Sequence, residues 1–296
     1  MSLKADMAKF VAKIRKTDRK MAHLLEHPKR GEKDLLQEKF TKKVRVKEWY
    51  LDGFRCVTLN GSYVQDKHIL MIPGGAYTLE PTARYRKIAE YFAQNGGFRV
   101  TIVFCPLSPE YTALNAHQYL DQVYRTLIFD YPTDEMFLFG DFSGGGLALS
   151  FLQELGRRKE LPLPAKTAVI SPWLDISLSN PKIKIAKKTD PILPVETLRE
   201  VGNRYRGTID VEDPLISPFY GDFNDLGSIL IFSGTEDIMT PDCELLAEKA
   251  EGLTGTELIY KKGAGMIHDW ILIPCRETDA TLDLISIYFQ KEWIDF

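Results

Sequence analysis

The sequence predicts an α/β fold with a mostly parallel central sheet and helices on both of its faces. Short apolar runs of strand length alternate with longer segments of helical spacing through most of the chain. Glycine-rich turns directly follow two of the predicted strands, at residues 73–77 and 140–146. With 296 residues, of which 44% are hydrophobic, the chain is long enough to bury a large core.

The predicted elements begin with two or three short helices in residues 5–40 and a hairpin in residues 44–59 that turns near Asp52-Gly53 and gives the sheet an antiparallel edge. The strands and helices expected after the hairpin are strand 68–72, helix 82–95, strand 98–104, helix 113–129, strand 136–139, helix 147–155, strand 165–171, strand 228–233, helix 241–253, strand 257–260 and helix 277–289.

Two segments lie outside this alternation. Residues 176–215 separate two sheet strands and are too long for a simple crossover, so we expect an irregular insertion there. Residues 1–43 precede the sheet. The predicted organisation is therefore an N-terminal helical segment, residues 1–43, and an α/β domain, residues 44–296, that carries the insertion.

Composition excludes several classes of function. The net charge of -3 argues against general nucleic-acid binding, and no apolar run reaches the length of a membrane span. Residues 1–49 carry 15 Lys and Arg but 7 Asp and Glu, which could attract a membrane surface or a polyanion, although a solvated helical face is the simpler interpretation. The four cysteines are scattered and predict neither a disulfide scaffold nor a zinc site. A cytoplasmic protein without stable membrane insertion is expected.

Residues 136–149 combine an apolar strand, a glycine-pinched turn and a buried helix, which is typical of a nucleophile elbow. At such a sharp turn the residues two positions on either side of the nucleophile must be small. Gly140 and Gly144 have the spacing for a nucleophile at 142, but this residue is Phe142. Ser143 follows one position later and would need Asp141 at a small position. The glycines that follow Ser143 make such a slipped elbow conceivable.

An acyl-transfer enzyme also needs a base, an acid that orients it and donors for the oxyanion. His268 is the one histidine after the elbow, and Asp237 follows the preceding strand. The predicted triad is thus Ser143, Asp237 and His268. A surface histidine and a helix N-cap are the alternatives for the last two. The predicted oxyanion donors are the backbone amides of Gly74, Gly75 and Gly144.

From about residue 66 to the end, the chain resembles the hormone-sensitive-lipase-like esterases, which are α/β-hydrolases. The resemblance rests on Pro-Gly-Gly-Ala-Tyr at 73–77, Cys-Pro-Leu-Ser-Pro-Glu at 105–110, Gly-Asp-Phe-Ser-Gly-Gly at 140–145, Ser-Pro-Trp-Leu-Asp at 171–175, Asp-Pro-Leu-Ile-Ser-Pro at 213–218, Gly-Thr-Glu-Asp at 234–237 and Gly-Met-Ile-His at 265–268. It implies a carboxylic ester as a small-molecule substrate, no cofactor or metal, and a cap made of the N-terminal helices and residues 176–215. Tyr77 and Phe142 would line the substrate pocket.

The same resemblance places Phe142 on the nucleophile and Ser143 on the small residue after it. Pro73 also stands where the family has a histidine, although the oxyanion donors there are backbone groups. Two hypotheses follow: an esterase that uses Ser143, or an impaired or inactive relative that binds a small molecule because Phe142 occupies the elbow. A third is an altered residue in an otherwise ordinary esterase. The architecture would allow a homodimer through the cap or the edge strand.

Overall fold

The structure is a computed structural model that describes residues 2–31 and 40–291. Within these residues the strands are β1 Arg45–Leu51, β2 Phe54–Asn60, β3 Lys67–Ile72, β4 Arg99–Val103, β5 Glu135–Asp141, β6 Lys166–Ile170, β7 Gly227–Glu236 and β8 Thr256–Ile267. The helices are α1 Leu3–Ile14, α2 Thr17–Glu26, α3 Ala83–Asn95, α4 Ala113–Asp130, α5 Phe142–Arg158, α6 Ile183–Ala186, α7 Val195–Arg206, α8 Thr240–Lys249 and α9 Arg276–Gln290.

The strands form one sheet in the order β1-β2-β4-β3-β5-β6-β7-β8. The hairpin β1–β2 pairs antiparallel to β4, and every pair from β4 to β8 is parallel. The predicted α/β fold and its antiparallel edge are therefore confirmed. The strands from β3 to β8 run the same way, so the loops after them meet at one edge of the sheet.

Helices cover both faces of the sheet. On one face α4, α5 and α8 bury their apolar side chains against the central strands, and on the other face α3 and α9 do the same. The central strands are therefore enclosed on both sides, which explains why their sequences read as continuous apolar runs rather than as alternating patterns.

The structure differs from the prediction in residues 176–215, which we expected to be irregular but which contain α6 and α7. It also extends the last strand to twelve residues. At its C-terminal end the strand gains residues 261–267, and the first five of them are two lysines, two glycines and an alanine, which give no strand signal. They are ordered by their pairing with β7, which shifts register after Gly234 and ends with Glu236 opposite Ile267.

The N-terminal helices lie against the insertion. Residue Lys187 contacts Asp18 at 3.3 Å, and Arg204 of α7 donates to the carbonyl of Leu25 at 3.2 Å. Helix α1 rests on small side chains, Ala5 and Ala12. These contacts are compatible with a cap formed by both segments. The division into domains stays a prediction. The third predicted helix lies largely outside the described residues. No helix in the described ranges is both long and apolar enough to cross a membrane.

The junction of α5 with β3 gives a stability prediction. A Cβ atom on Gly144 would lie 2.0 Å from the carbonyl oxygen of Ile72, so Gly144→Ala must displace backbone. We expect the free energy of unfolding in urea to fall by about 3 kcal/mol. In the control Gly252→Ala, the added Cβ meets nothing within 4 Å, and a change below about 1 kcal/mol is expected. Equal stability of the two variants would contradict the close approach.

Candidate active site

The turn between β5 and α5 has Phe142 at its tip. Phe142 has φ +46°, a left-handed backbone conformation that residues other than glycine rarely adopt. A Cβ on Gly140 would lie 2.6 Å from the carbonyl oxygen of Gly144, so strand and helix meet two residues on either side of position 142. The described backbone therefore has Phe142, and not Ser143 as in the predicted slipped elbow, at the tip. A slip would move Asp141 into the space that only Gly140 fits.

Ser143 lies behind the tip. Its side chain is buried, and its Oγ accepts a hydrogen bond from the backbone amide of Tyr77 at 3.2 Å. The structure gives Ser143 no hydrogen bond to His268, because Nε2 of His268 has no hydrogen-bond partner in the described residues. The predicted nucleophile is thus near the site but is not brought together with the predicted base.

The predicted acid and base do meet. Asp237 follows β7 and His268 follows β8, which are neighbouring parallel strands. His268 Nδ1 lies 3.1 Å from Asp237 Oδ1, and both side chains are buried. The backbone amide of Met239 donates to the same carboxylate oxygen at 2.9 Å, which fixes its orientation. This arrangement can hold one imidazole tautomer and stabilise the imidazolium.

The ring of Phe142 lies where the side chain at the elbow should meet the base. Its centroid is 4.4 Å from that of His268, with the two planes at 82°. On its other side the ring stacks on Trp173 at 5.3 Å and 9°. Only 5% of Phe142 is exposed. A phenyl ring therefore occupies the position from which an oxygen nucleophile would attack.

Two more rings extend this stack away from the base. Tyr77 stacks on Trp173 at 5.6 Å, and Tyr205 of α7 stacks on Tyr77 at 3.7 Å with an interplanar angle of 3°. We call these four rings, Tyr205, Tyr77, Trp173 and Phe142, the aromatic column. A cavity of about 20 Å³ remains beside Tyr77 and Ser143, enough for about one water molecule. Little free volume therefore remains beside the column.

The oxyanion loop after β3 is only partly as predicted. The amide of Gly74 donates to Asp141 Oδ1 at 3.0 Å, so this predicted donor is already engaged. Gly75 has φ +139°, which favours glycine, and its carbonyl accepts from the amides of Thr78 and Leu79. Since the tip is Phe142, the amide that follows it belongs to Ser143 and not to Gly144, as the slipped elbow required.

A second carboxylate, Asp269, approaches the other side of the imidazole. Its Oδ2 lies 3.1 Å from Nε2 of His268. Asp141 lies close enough to Asp269 to interact with it electrostatically, and it accepts a hydrogen bond from the Tyr85 hydroxyl at 2.6 Å. Farther along, Asp190 accepts from the amide of Ile238 at 3.0 Å. Three of these carboxyls, Asp141, Asp190 and Asp237, are buried, and Asp269 is only 9% exposed.

The burial of these carboxyls changes their protonation. Burial raises the pKa of Asp141 well above its usual range, and the charge of Asp269 raises it further. Burial likewise raises the pKa of Asp190 and of Asp269, although His268 acts against this. Burial would lower the pKa of His268, but Asp269 and Asp237 outweigh it, so that this pKa is raised well above its usual value. The site therefore favours an imidazolium beside a protonated Asp141.

Four members of the site are not predicted from the sequence: Asp269, Asp141, Asp190 and Tyr85. Asp269 could have been found from its position next to His268, and Asp141 from its position next to the elbow. Nothing in the spacing of Asp190 or Tyr85 indicates a role, since they come from the insertion and from α3. Among the described residues no group of three or more His, Cys, Asp or Glu side chains has the arrangement of a metal site.

The ring of Phe142 gives a second stability prediction. Replacing it in Phe142→Ser should lower the free energy of unfolding by about 3 kcal/mol, because a fully packed ring is lost while the left-handed backbone stays. The matched control is Phe129→Ser, whose ring is 84% exposed and which should change stability by less than about 0.5 kcal/mol. Urea unfolding followed by circular dichroism measures both, and a loss below about 1 kcal/mol for Phe142→Ser would contradict the packing.

Comparison with known proteins identifies the family. The family of the alpha/beta hydrolase fold matches residues 69–272. The chain is 30% identical over 203 residues to an acetyl-hydrolase of Streptomyces hygroscopicus, covering 68% of this chain and 67% of the relative. It is 28% identical over 211 residues to an esterase of Acinetobacter venetianus strain RAG-1, covering 70% of this chain and 69% of the relative.

Solved structures show the same fold. An esterase of the bacterial hormone-sensitive lipase family superposes with a TM-score of 0.84 at 21% identity, over 99% of both chains. A hormone-sensitive lipase from a metagenome library gives a TM-score of 0.82 at 24% identity, over 98% of this chain and 97% of the other. The chain therefore belongs to the α/β-hydrolase family and is a carboxylesterase-like hydrolase.

Proposed function

We propose that this protein has the fold and the site of a carboxylesterase-like hydrolase and retains the acid, the base and the oxyanion loop, but has lost the nucleophile and with it the hydrolytic step. In this state the site binds a small uncharged ester and does not transfer its acyl group to a serine. One observation carries the proposal: Phe142 occupies the left-handed tip of the elbow and lies against His268.

The chemistry that is missing follows from the geometry. A hydroxyl at position 142 would attack the ester carbonyl carbon while its proton passes to Nε2 of His268. The oxyanion would be held by the amides of Gly75 and Ser143, and the leaving alcohol would take the proton back from Nε2. A phenyl ring has neither a lone pair to attack with nor a proton to transfer, so the acyl-enzyme cannot form at this position.

The surroundings of the site favour an uncharged ligand. The aromatic column supplies apolar walls, and the buried carboxyls behind His268 would repel an acid. Because little free volume remains beside the column, a ligand must displace one of its rings. Tyr205 is the last ring of the column on the side away from His268 and lies on α7, within the predicted cap, so its displacement would open the site from the cap side.

A second candidate function is an esterase that uses Ser143. The observation in its favour is that Ser143 is buried next to the oxyanion loop, while the acid and base remain paired. For catalysis, the Ser143 hydroxyl would have to leave the amide of Tyr77 and reach Nε2 past the Phe142 ring. The present contacts hold it away from that position.

Hydrolysis of p-nitrophenyl acetate and butyrate distinguishes the two candidates. We expect the natural protein to hydrolyse both esters no faster than the variant His268→Asn. Phe142→Ser should raise kcat/KM by about 100-fold or more, because a positioned nucleophile then faces a paired acid and base. The gain should disappear in Phe142→Ser combined with His268→Asn.

The matched control is Ser143→Ala, which should leave the rate of the natural protein unchanged. Hydrolysis by the natural protein that Ser143→Ala abolishes would overturn the proposal and establish the second candidate. An inactive Phe142→Ser variant over pH 6 to 10, shown by circular dichroism to be folded, would also contradict it, since the retained parts would then be insufficient.

A further inference from the structure

The imidazole of His268 has a carboxylate on each nitrogen. Asp237 Oδ1 lies 3.1 Å from Nδ1, and Asp269 Oδ2 lies 3.1 Å from Nε2. In the mechanism described above, Nε2 is the atom that takes the proton from the nucleophile. We infer that Asp269 is a positioning residue that replaces the missing hydroxyl as the partner of Nε2 and holds His268 as a buried cation. The inference rests on the proposed loss of the nucleophile.

The charges around His268 support a cation. Four carboxyls face the imidazole or one another: Asp237 after β7, Asp269 beside His268, Asp141 at the end of β5 and Asp190 in the insertion. Burial and the charge of Asp269 raise the pKa of Asp141 well above its usual range, so the Asp141 carboxyl favours its protonated form. A neutral imidazole would leave the remaining buried carboxylates uncompensated.

The contact on Nε2 is electrostatic. Nε2 has no aligned hydrogen bond, so its contact with Asp269 is one of charge rather than of directed bonding. Asp269 therefore stabilises the protonated base. A protonated Nε2 cannot accept a proton from a hydroxyl.

The local backbone offers an isosteric test. Asp269 has φ +47°, a conformation that asparagine tolerates well, so Asp269→Asn removes the charge without new strain. The matched control is Asp242→Asn, which neutralises another buried carboxyl that is bonded to Asn180 at 2.8 Å and has no contact with His268.

The first measurement is the pH titration of the His268 ring by NMR in the natural protein, with the signal assigned by its absence in His268→Gln. We expect the ring to stay doubly protonated at pH values where a free imidazole, with a pKa of about 6.5, has lost its proton. In Asp269→Asn the transition should move to lower pH, and in Asp242→Asn it should not. An ordinary imidazole titration in the natural protein would overturn the inference without any variant.

The second measurement uses activity. In the Phe142→Ser background the base works only when it is unprotonated, so kcat/KM should rise with pH through an inflection on the alkaline side. Adding Asp269→Asn should move that inflection toward acid and raise kcat/KM at pH 7 by roughly tenfold. Adding Asp242→Asn should do neither.

The outcomes separate this inference from the proposed function. If Phe142→Ser is active but has the same pH profile with and without Asp269→Asn, the role of Asp269 is refuted while the lost nucleophile stands. If no Phe142→Ser variant is active, the proposed function fails, and the NMR titration still decides the state of His268.

Discussion

The close approach of strand and helix at the elbow determines the chemistry of this site. The backbones of Gly140 and Gly144 are so close across the turn that neither position has room for a Cβ atom, and Gly144 also packs against the backbone at the end of β3. These approaches leave one register for the turn, in which residue 142 takes the left-handed conformation. The side chain at 142 is therefore directed at His268 whatever its chemistry, and in this protein the imidazole meets a phenyl ring instead of a hydroxyl.

Two consequences follow from a ring at that position. The aromatic column becomes continuous from Tyr205 of α7 to Phe142 beside His268. Stacked rings therefore fill the region between the predicted cap and the imidazole, where a substrate pocket is expected. The base is also left without a hydroxyl partner in a region of buried carboxyls. Asp269 lies next to Nε2, and the charges of Asp269 and Asp237 raise the pKa of the imidazole well above its usual value.

Much of the fold could be predicted because the central strands are buried on both faces and show as apolar runs, as in β3 and β5. The hairpin was visible from the alternation of apolar residues around Asp52-Gly53, and the pairing of Leu51 with Phe54 agrees with that turn. Helix α7 was not predicted because its sequence is mostly polar, with a few apolar residues, among them Leu198, Val201 and Tyr205. The end of β8 was missed because its order comes from pairing with β7.

The sequence by itself determined the order of the chemical parts: an elbow, an acid after one strand and a histidine after the next. It also restricted the tip of the elbow to Phe142 or Ser143, since both lie among glycines. Only the tertiary structure decided between them, because a backbone dihedral and a contact with Ile72 are not properties of a residue pattern. The engagement of Gly74 by Asp141 and the approach of Asp269 to Nε2 also arise only from the folded chain, where distances through space replace spacing along the sequence.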